Sequence, residues 1–114
     1  MSHTVDQHFE GSSPTVRDIY DTIVAVAREL GPVKQDPKKT SIHLNRKSAF
    51  AAVKTRREFL ILTVKATENI DSARISKREH LSAHRWYHEI KIGDVNEIDS
   101  EIIEWLRNGY DLSG

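Results

Sequence analysis

Between Ala49 and Ala66 the chain runs AFAAVKTRREFLILTVKA, two apolar-rich stretches separated by a charged triplet. No other segment constrains the fold as tightly. Neighbouring side chains of a strand point to opposite faces. Leu60, Leu62 and Val64 therefore share one face, and Phe59, Ile61, Thr63 and Lys65 share the other. The β-branched and aromatic content favours a strand over a helix. Both faces begin apolar, which predicts a central strand covered on both sides at its start. Phe50 to Lys54 reads as its partner, with Phe50, Ala52 and Lys54 on one face and Ala51 and Val53 on the other. Arg56, Arg57 and Glu58 connect the two. They contain no Gly and no Asn-Gly, so a loop longer than a two-residue primed turn is expected.

The rest of the chain is read outward from this hairpin. Residues 1–12 are expected to be a mobile arm anchored at most by Phe9, and residues 13–114 one domain. Ser13-Pro14 supplies an N-cap followed by Pro at the first helical position. Val16, Ile19, Tyr20, Ile23, Ala27 and Leu30 then recur at three- and four-residue spacing, the pattern of an amphipathic helix. Gly31-Pro32 ends it, with Gly31 as the left-handed residue. Val33 to Asp36 suggests a short edge strand, and Thr40 to Asn45 a better one with Ile42 and Leu44 inward. Residues 67–83 read as a surface excursion with a helical turn near Ser76 to Leu81. Trp86 to Ile92 reads as a last strand. A final helix starts at Asp99 as N-cap, with Ile98 and Ile103 at the staple positions, and ends at Gly109. Helix, consecutive strands with short connections, strand and helix together predict an α+β domain. It has a single antiparallel sheet of four to five strands packed by an N-terminal and a C-terminal helix.

Length and charge narrow the functional classes. A chain of 114 residues suits one core. No apolar run is long enough to span a bilayer, and the polar N-terminus lacks the apolar centre of a signal peptide. There is no cysteine, hence no disulfide framework and no thiolate chemistry. A cytoplasmic location is the expectation. Net charge is zero but unevenly spread. Residues 1–32 carry two basic and five acidic residues, residues 33–91 fourteen and six, and residues 92–114 one and six, giving −3, +8 and −5. That segregation points to a basic sheet side opposite acidic helices.

Several stretches together resemble a small bacterial domain of unknown function. They are His8-Phe9, Gly11, Ser13-Pro14 and Arg17 to Asp21 near the start, then Ser48 to Val53 followed by Arg56 and Glu58 to Leu62. Arg85-Trp86, His88, Ile90 and Ile92 follow, and Asp99, Glu101-Ile102, Leu106-Arg107 and Gly109-Tyr110 close the pattern. The resemblance covers about Phe9 to Tyr110 and rests mostly on packing residues. That family often sits at the C-terminus of restriction-endonuclease-like or predicted transport proteins, and it also occurs alone. The resemblance implies the fold read above and no established activity. It supplies no catalytic residues, and its nuclease-like neighbours hint at nucleic acid.

Three constellations carry chemistry. His80, His84 and His88 are spaced by four, which on one helix would converge as metal ligands. His88 falls in a strand, however, and the zinc-protease pattern needs Glu where Leu81 stands, so no metal is assigned. Glu89 and Lys91 share a strand face, with Asp71 upstream. Restriction-type nucleases combine two carboxylates and a lysine around a divalent metal. Their core needs a mixed sheet, whereas an antiparallel one is read here. Last, the basic inventory of the middle segment is interleaved with His43, Trp86 and Tyr87, aromatic rings able to stack on bases. Lys54 and Lys65 flank the Arg56-Arg57 turn, so Lys54, Arg56, Arg57 and Lys65 form the candidate anion site. Arg46 and Lys47 belong to a turn at the opposite end of the sheet. Folding back of Glu101 and Glu104 beside the arginines would neutralise the patch.

There is no Gly-rich phosphate loop, no G-x-S-x-G and no helix–turn–helix signature. The sequence therefore supports a non-catalytic binding module without a cofactor, a monomer or homodimer that binds nucleic acid, another anion or a partner protein. The alternatives are a nuclease-like remnant using Asp71, Glu89 and Lys91, and a homodimeric small-ligand-binding domain with Phe59 and Ile61 lining its pocket or interface. The expected core is Ile19, Ile23, Leu44, Leu60, Leu62, Val64, Ile90, Ile102 and Leu106. Leu62→Ala is accordingly expected to cost roughly 2–5 kcal/mol in chemical denaturation. A loss below about half a kcal/mol would put Leu62 on the solvent side and shift the register by one residue.

Overall fold

The computed structural model describes residues 3–114. Helix α1 (Pro14–Leu30) is followed by strands β1 (Lys34–Pro37), β2 (Ile42–Asn45), β3 (Ala49–Thr55), β4 (Leu60–Ala66), β5 (Ile75–Ser82) and β6 (Arg85–Ile92), and then by helix α2 (Ser100–Leu112). All strands belong to one sheet in the order β1-β2-β3-β4-β6-β5, and every neighbouring pair is antiparallel. The sheet thus has six strands rather than four to five. The additional one is β5, where a helical turn was expected. Of its eight residues only Ile75 is buried. An edge strand of this kind shows no alternation of apolar side chains, and its lysine, arginine and glutamate are depleted in or neutral to strands. β6 returns between β4 and β5, so the sheet is not a simple meander.

One face of this sheet is dry. Cross-strand register sets Ile42, Val53, Leu62, Ile90 and Ile75 in one row and Leu44, Ala51, Val64 and His88 in the next. These rows pack against Val16, Ile19, Ile23 and Ala27 of α1 and against Ile102, Trp105 and Leu106 of α2. All nine expected core residues are at most 1% exposed. Each fully buried aliphatic side chain contributes about 1.5–3 kcal/mol. The expectation that β4 is covered on both sides at its start is corrected. Leu60 is buried, but Phe59 and Ile61 are half-buried on a face that no helix covers. A bulge makes a second correction. Leu44 pairs with Ala51 and Asn45 with Ala49, leaving Phe50 as the extra residue. Phe50 therefore leaves the face of Ala52 and Lys54 and packs edge-on against Tyr110, ring centroids 5.1 Å apart.

The helix ends follow the sequence in part. Ser13 and Pro14 open α1, but the Ser13 hydroxyl is buried without a partner among the described residues and makes no cap bond, which corrects the expected N-cap. The Ser13 N–H instead donates to the Arg57 carbonyl (2.8 Å), tying the helix start to the β3–β4 turn. Phe9 reaches the Tyr20 ring at 5.1 Å, and Arg17 lies over Phe9. Gly31 ends α1 at φ 153°, outside the left-handed helical values expected. A Cβ there would strike the Tyr110 hydroxyl, which donates to the Pro32 carbonyl (2.9 Å). Asp99 caps α2 by accepting from the Ile102 N–H (3.2 Å), as read. However, α2 does not stop at Gly109. It runs to Leu112, and Gly109 is a buried interior residue. An added Cβ would stand 2.9 Å from the Phe50 carbonyl and 3.2 Å from that of Lys65. This glycine serves helix–sheet approach rather than termination.

Helix propensity alone would make Gly109→Ala stabilising by about 1 kcal/mol. The contact with two backbone carbonyls reverses the sign. Gly109→Ala is expected to destabilise by about 1–3 kcal/mol in urea melts, as overpacked cores do, while exposed Asn108→Ala stays within about half a kcal/mol. Equal effects of the two substitutions would mean that α2 stands off the sheet.

Candidate functional site

The face opposite the helices is uncovered and carries the polar half of every strand. One row across it reads Asp36, His43, Ala52, Thr63, Glu89 and Lys77. The row on one side holds Lys54, Ile61 and Lys91; the row on the other holds Lys65, Tyr87 and Glu79. Small side chains at Ala52 and Thr63 leave a groove of about 230 Å³ between them, bordered by His43, Lys54, Lys65, Lys77, Tyr87 and Glu89.

The arginines and the lysines of the basic segment divide. Several arginines hold the fold together. Arg74 donates to Asp99 (2.9 and 3.0 Å), to Glu101 (3.1 Å) and to the Glu97 carbonyl (2.6 Å), pinning the β4–β5 loop to the start of α2. Its guanidinium lowers the Asp99 pKa. Arg78 donates to the Ile70 and Ser72 carbonyls, both at 3.2 Å. Arg46 donates to the Tyr110 carbonyl (3.1 Å) and lies over the Tyr110 ring. Among the described residues, Lys54, Lys65, Lys77 and Lys91 form no ion pair. Lys54, Lys77 and Lys91 stand on the uncovered face, whereas Lys65 is only 7% exposed. Lys91 lies over the Phe59 ring, 5.7 Å from its centroid.

The four residues expected at the anion site are spread over this face. Lys54 stands in the groove, and exposed Arg56 and Arg57 form the turn at its end. Lys65 does not flank that turn. Lys54 pairs with Ile61, and Lys65 lies four residues further along β4, about 13 Å at strand spacing. Its ammonium donates to Ser113 Oγ (2.8 Å) and Ser48 Oγ (3.4 Å), beside the C-terminus of α2, where the helix dipole favours a cation. Burial first, and the charge of Arg85 second, lower its pKa. Lys77 and Glu79 join the site only through β5, which the sequence does not announce. Period two alone would set Lys77 and Glu79 on the core face with Ile75; the register shift between Ile75 and Lys77 turns them onto the open face.

The remaining candidates separate. Glu89 borders the groove, whereas Asp71 borders a second cavity of about 630 Å³ between α2 and the β4–β5 loop, on the helix side. The carboxylates of the nuclease-like arrangement thus lie on opposite faces. Among the described residues no three His, Asp or Glu side chains converge as metal ligands. His43 and Tyr87 share the uncovered face, but Trp86 does not. It is stacked on the helix side between His80 (4.0 Å) and His88 (5.9 Å). His84 lies in the β5–β6 turn. His88 is fully buried, and its Nε2 accepts from the Ile70 N–H (3.3 Å). The proton of the neutral ring is therefore on Nδ1, which has no partner among the described residues.

Fold and site together define a two-layer α+β domain with one sheet face left open and lined by lysines. The model of a family described as a domain of unknown function, DUF5655, matches residues 5–113, and the chain belongs to that family. Neither the curated proteins nor the solved structures yield a match. No helix among the described residues is long and apolar enough to cross a membrane.

Burial, and secondarily Arg78, lower the His88 pKa below its ordinary 6.5. The unfolded chain then binds the proton more readily than the folded one. The stability involved is fully present above pH 6.5 and is lost as pH falls through the lowered folded value. Urea midpoints are expected to drop between pH 7 and pH 5, a range above that in which Asp36 and Asp99, with their lowered values, titrate. His88→Phe is expected to flatten that slope. An unchanged slope in the variant would assign it to other groups.

Proposed function

We propose that this domain is a non-catalytic binding module whose uncovered sheet face takes an anionic ligand, single-stranded nucleic acid in particular. The observation that carries this reading is the set of three lysines without ion pairs, Lys54, Lys77 and Lys91, on one open face. The two acidic residues of α2 that could fold back are engaged on the other layer. Glu101 pairs with Arg74 and Glu104 with Arg107, so neither folds back to neutralise the groove. The anion path runs from Arg56 and Arg57 past Lys54, with Lys77 across the groove. Lysine ammonium groups suit phosphate as mobile point charges, and contacts of this kind confer affinity without sequence preference.

The test is a titration of labelled single-stranded oligonucleotide at low and near-physiological salt. Binding is expected to weaken steeply with salt, because each neutralised phosphate releases counterion. Arg56→Ala/Arg57→Ala and Lys54→Ala/Lys77→Ala should each weaken it and lower the salt slope by about 0.7 per lost phosphate contact. Absence of binding at low salt, or binding unaffected by both double variants, would overturn the proposal.

A further inference from the structure

The groove differs along its two walls. On the β2–β4 side stand His43, Lys54 and Lys65. On the β5–β6 side stand Glu79 and Glu89 with a single lysine, Lys77. A bare polyanion would be attracted by the first wall and repelled by much of the second. The floor also needs a reason. Alanine is depleted in strands, yet Ala52 occupies the centre of the open face, flanked in register by His43 and Thr63. The result is a depression rather than a flat charged surface. Half-buried Tyr87 forms part of its wall. At about 230 Å³ the depression is smaller than the roughly 300–1,000 Å³ of drug-sized ligand sites. It has room for one ring system with its charged group outside.

Resting on the reading of this face as an anion site, we infer that the depression holds one base of a nucleotide. The ring lies over Ala52 and against Tyr87. Its amine-bearing edge points to Glu79 and Glu89, and its phosphate lies towards Lys54 and His43. Carboxylates accept from the exocyclic amine of cytosine, while aromatic side chains stack on any base. Thymine fits less well, because it sets the acceptor O4 where cytosine sets its exocyclic amine. The ligand chemistry is thus a nucleotide with an amine-edged base, held within a strand or free.

Four probes decide the point: labelled oligo(dC), oligo(dT), inorganic polyphosphate of equal charge, and cytidine monophosphate as competitor. Oligo(dC) should bind about tenfold more tightly than polyphosphate, the order of factor one stacked base supplies, and more tightly than oligo(dT). Ala52→Leu fills the depression without touching a charge. It should remove the advantage over polyphosphate and leave polyphosphate binding unchanged. Tyr87→Ala should act in the same way, which covers a folding defect in the first variant. Glu89→Gln should narrow the gap between oligo(dC) and oligo(dT). Cytidine monophosphate that displaces oligo(dC) at equal nucleotide concentration identifies the free nucleotide as the ligand. Failure to displace it identifies the strand. Equal binding of oligo(dC) and polyphosphate, or wild-type oligo(dC) binding in both Ala52→Leu and Tyr87→Ala, overturns the base pocket while leaving the anion site standing. No binding of either polymer removes both.

Discussion

The contact between Gly109 and the backbone of β3 and β4 sets the geometry of this domain. A helix can approach a sheet this closely only where it has no side chain, and here the carbonyls of Phe50 and Lys65 occupy the space a Cβ would need. From that point the C-terminal end of α2 is fixed on the β2–β3 turn. The Lys47 and Ser48 N–H groups donate to the Ser113 carbonyl (3.2 and 3.3 Å), Ser113 Oγ donates to the Ala49 carbonyl (3.4 Å), and Lys65 and Arg46 bring cations to the helix end. The same approach sets Tyr110 against Phe50 and beneath Gly31, so the end of α1 and the end of α2 meet on one ring.

Both helices lie on one side, and this leaves the other sheet face to solvent. The consequence is electrostatic as much as structural. Arginines, whose planar forks satisfy several acceptors at once, hold the loops and helix ends of the covered side. Lysines, with one mobile charge on a flexible stem, populate the open side. Part of the +8 of the middle segment is thereby neutralised within the fold, as at Arg74, and Lys54, Lys77 and Lys91 with Arg56 and Arg57 face outward. Lys65 is the exception. Its stem starts on the open face, yet its ammonium is held by two serine hydroxyls under the α2 terminus.

Much of this was legible in the sequence. Period two in Leu60, Leu62 and Val64, the spacing of Val16 to Ala27, and the signals at Ser13-Pro14 and Asp99 each rest on local chemistry, so the sequence by itself determined the fold class, the core and the helix starts. Tertiary packing decided the rest. β5 is held by pairing with β6 rather than by burial, so no apolar pattern announced it. The bulge that turns Phe50 towards Tyr110 depends on the partner strand, and no local signal marks it. Gly109 reads as a helix terminator in isolation, because a glycine needed for close approach and one needed for a cap look the same in sequence. The site followed the same division. Lys54, Arg56 and Arg57 were found from charge and turn chemistry. The position of Lys65 and the arrival of Lys77 and Glu79 depend on strand register and order, which are non-local and decide which side chains share a groove.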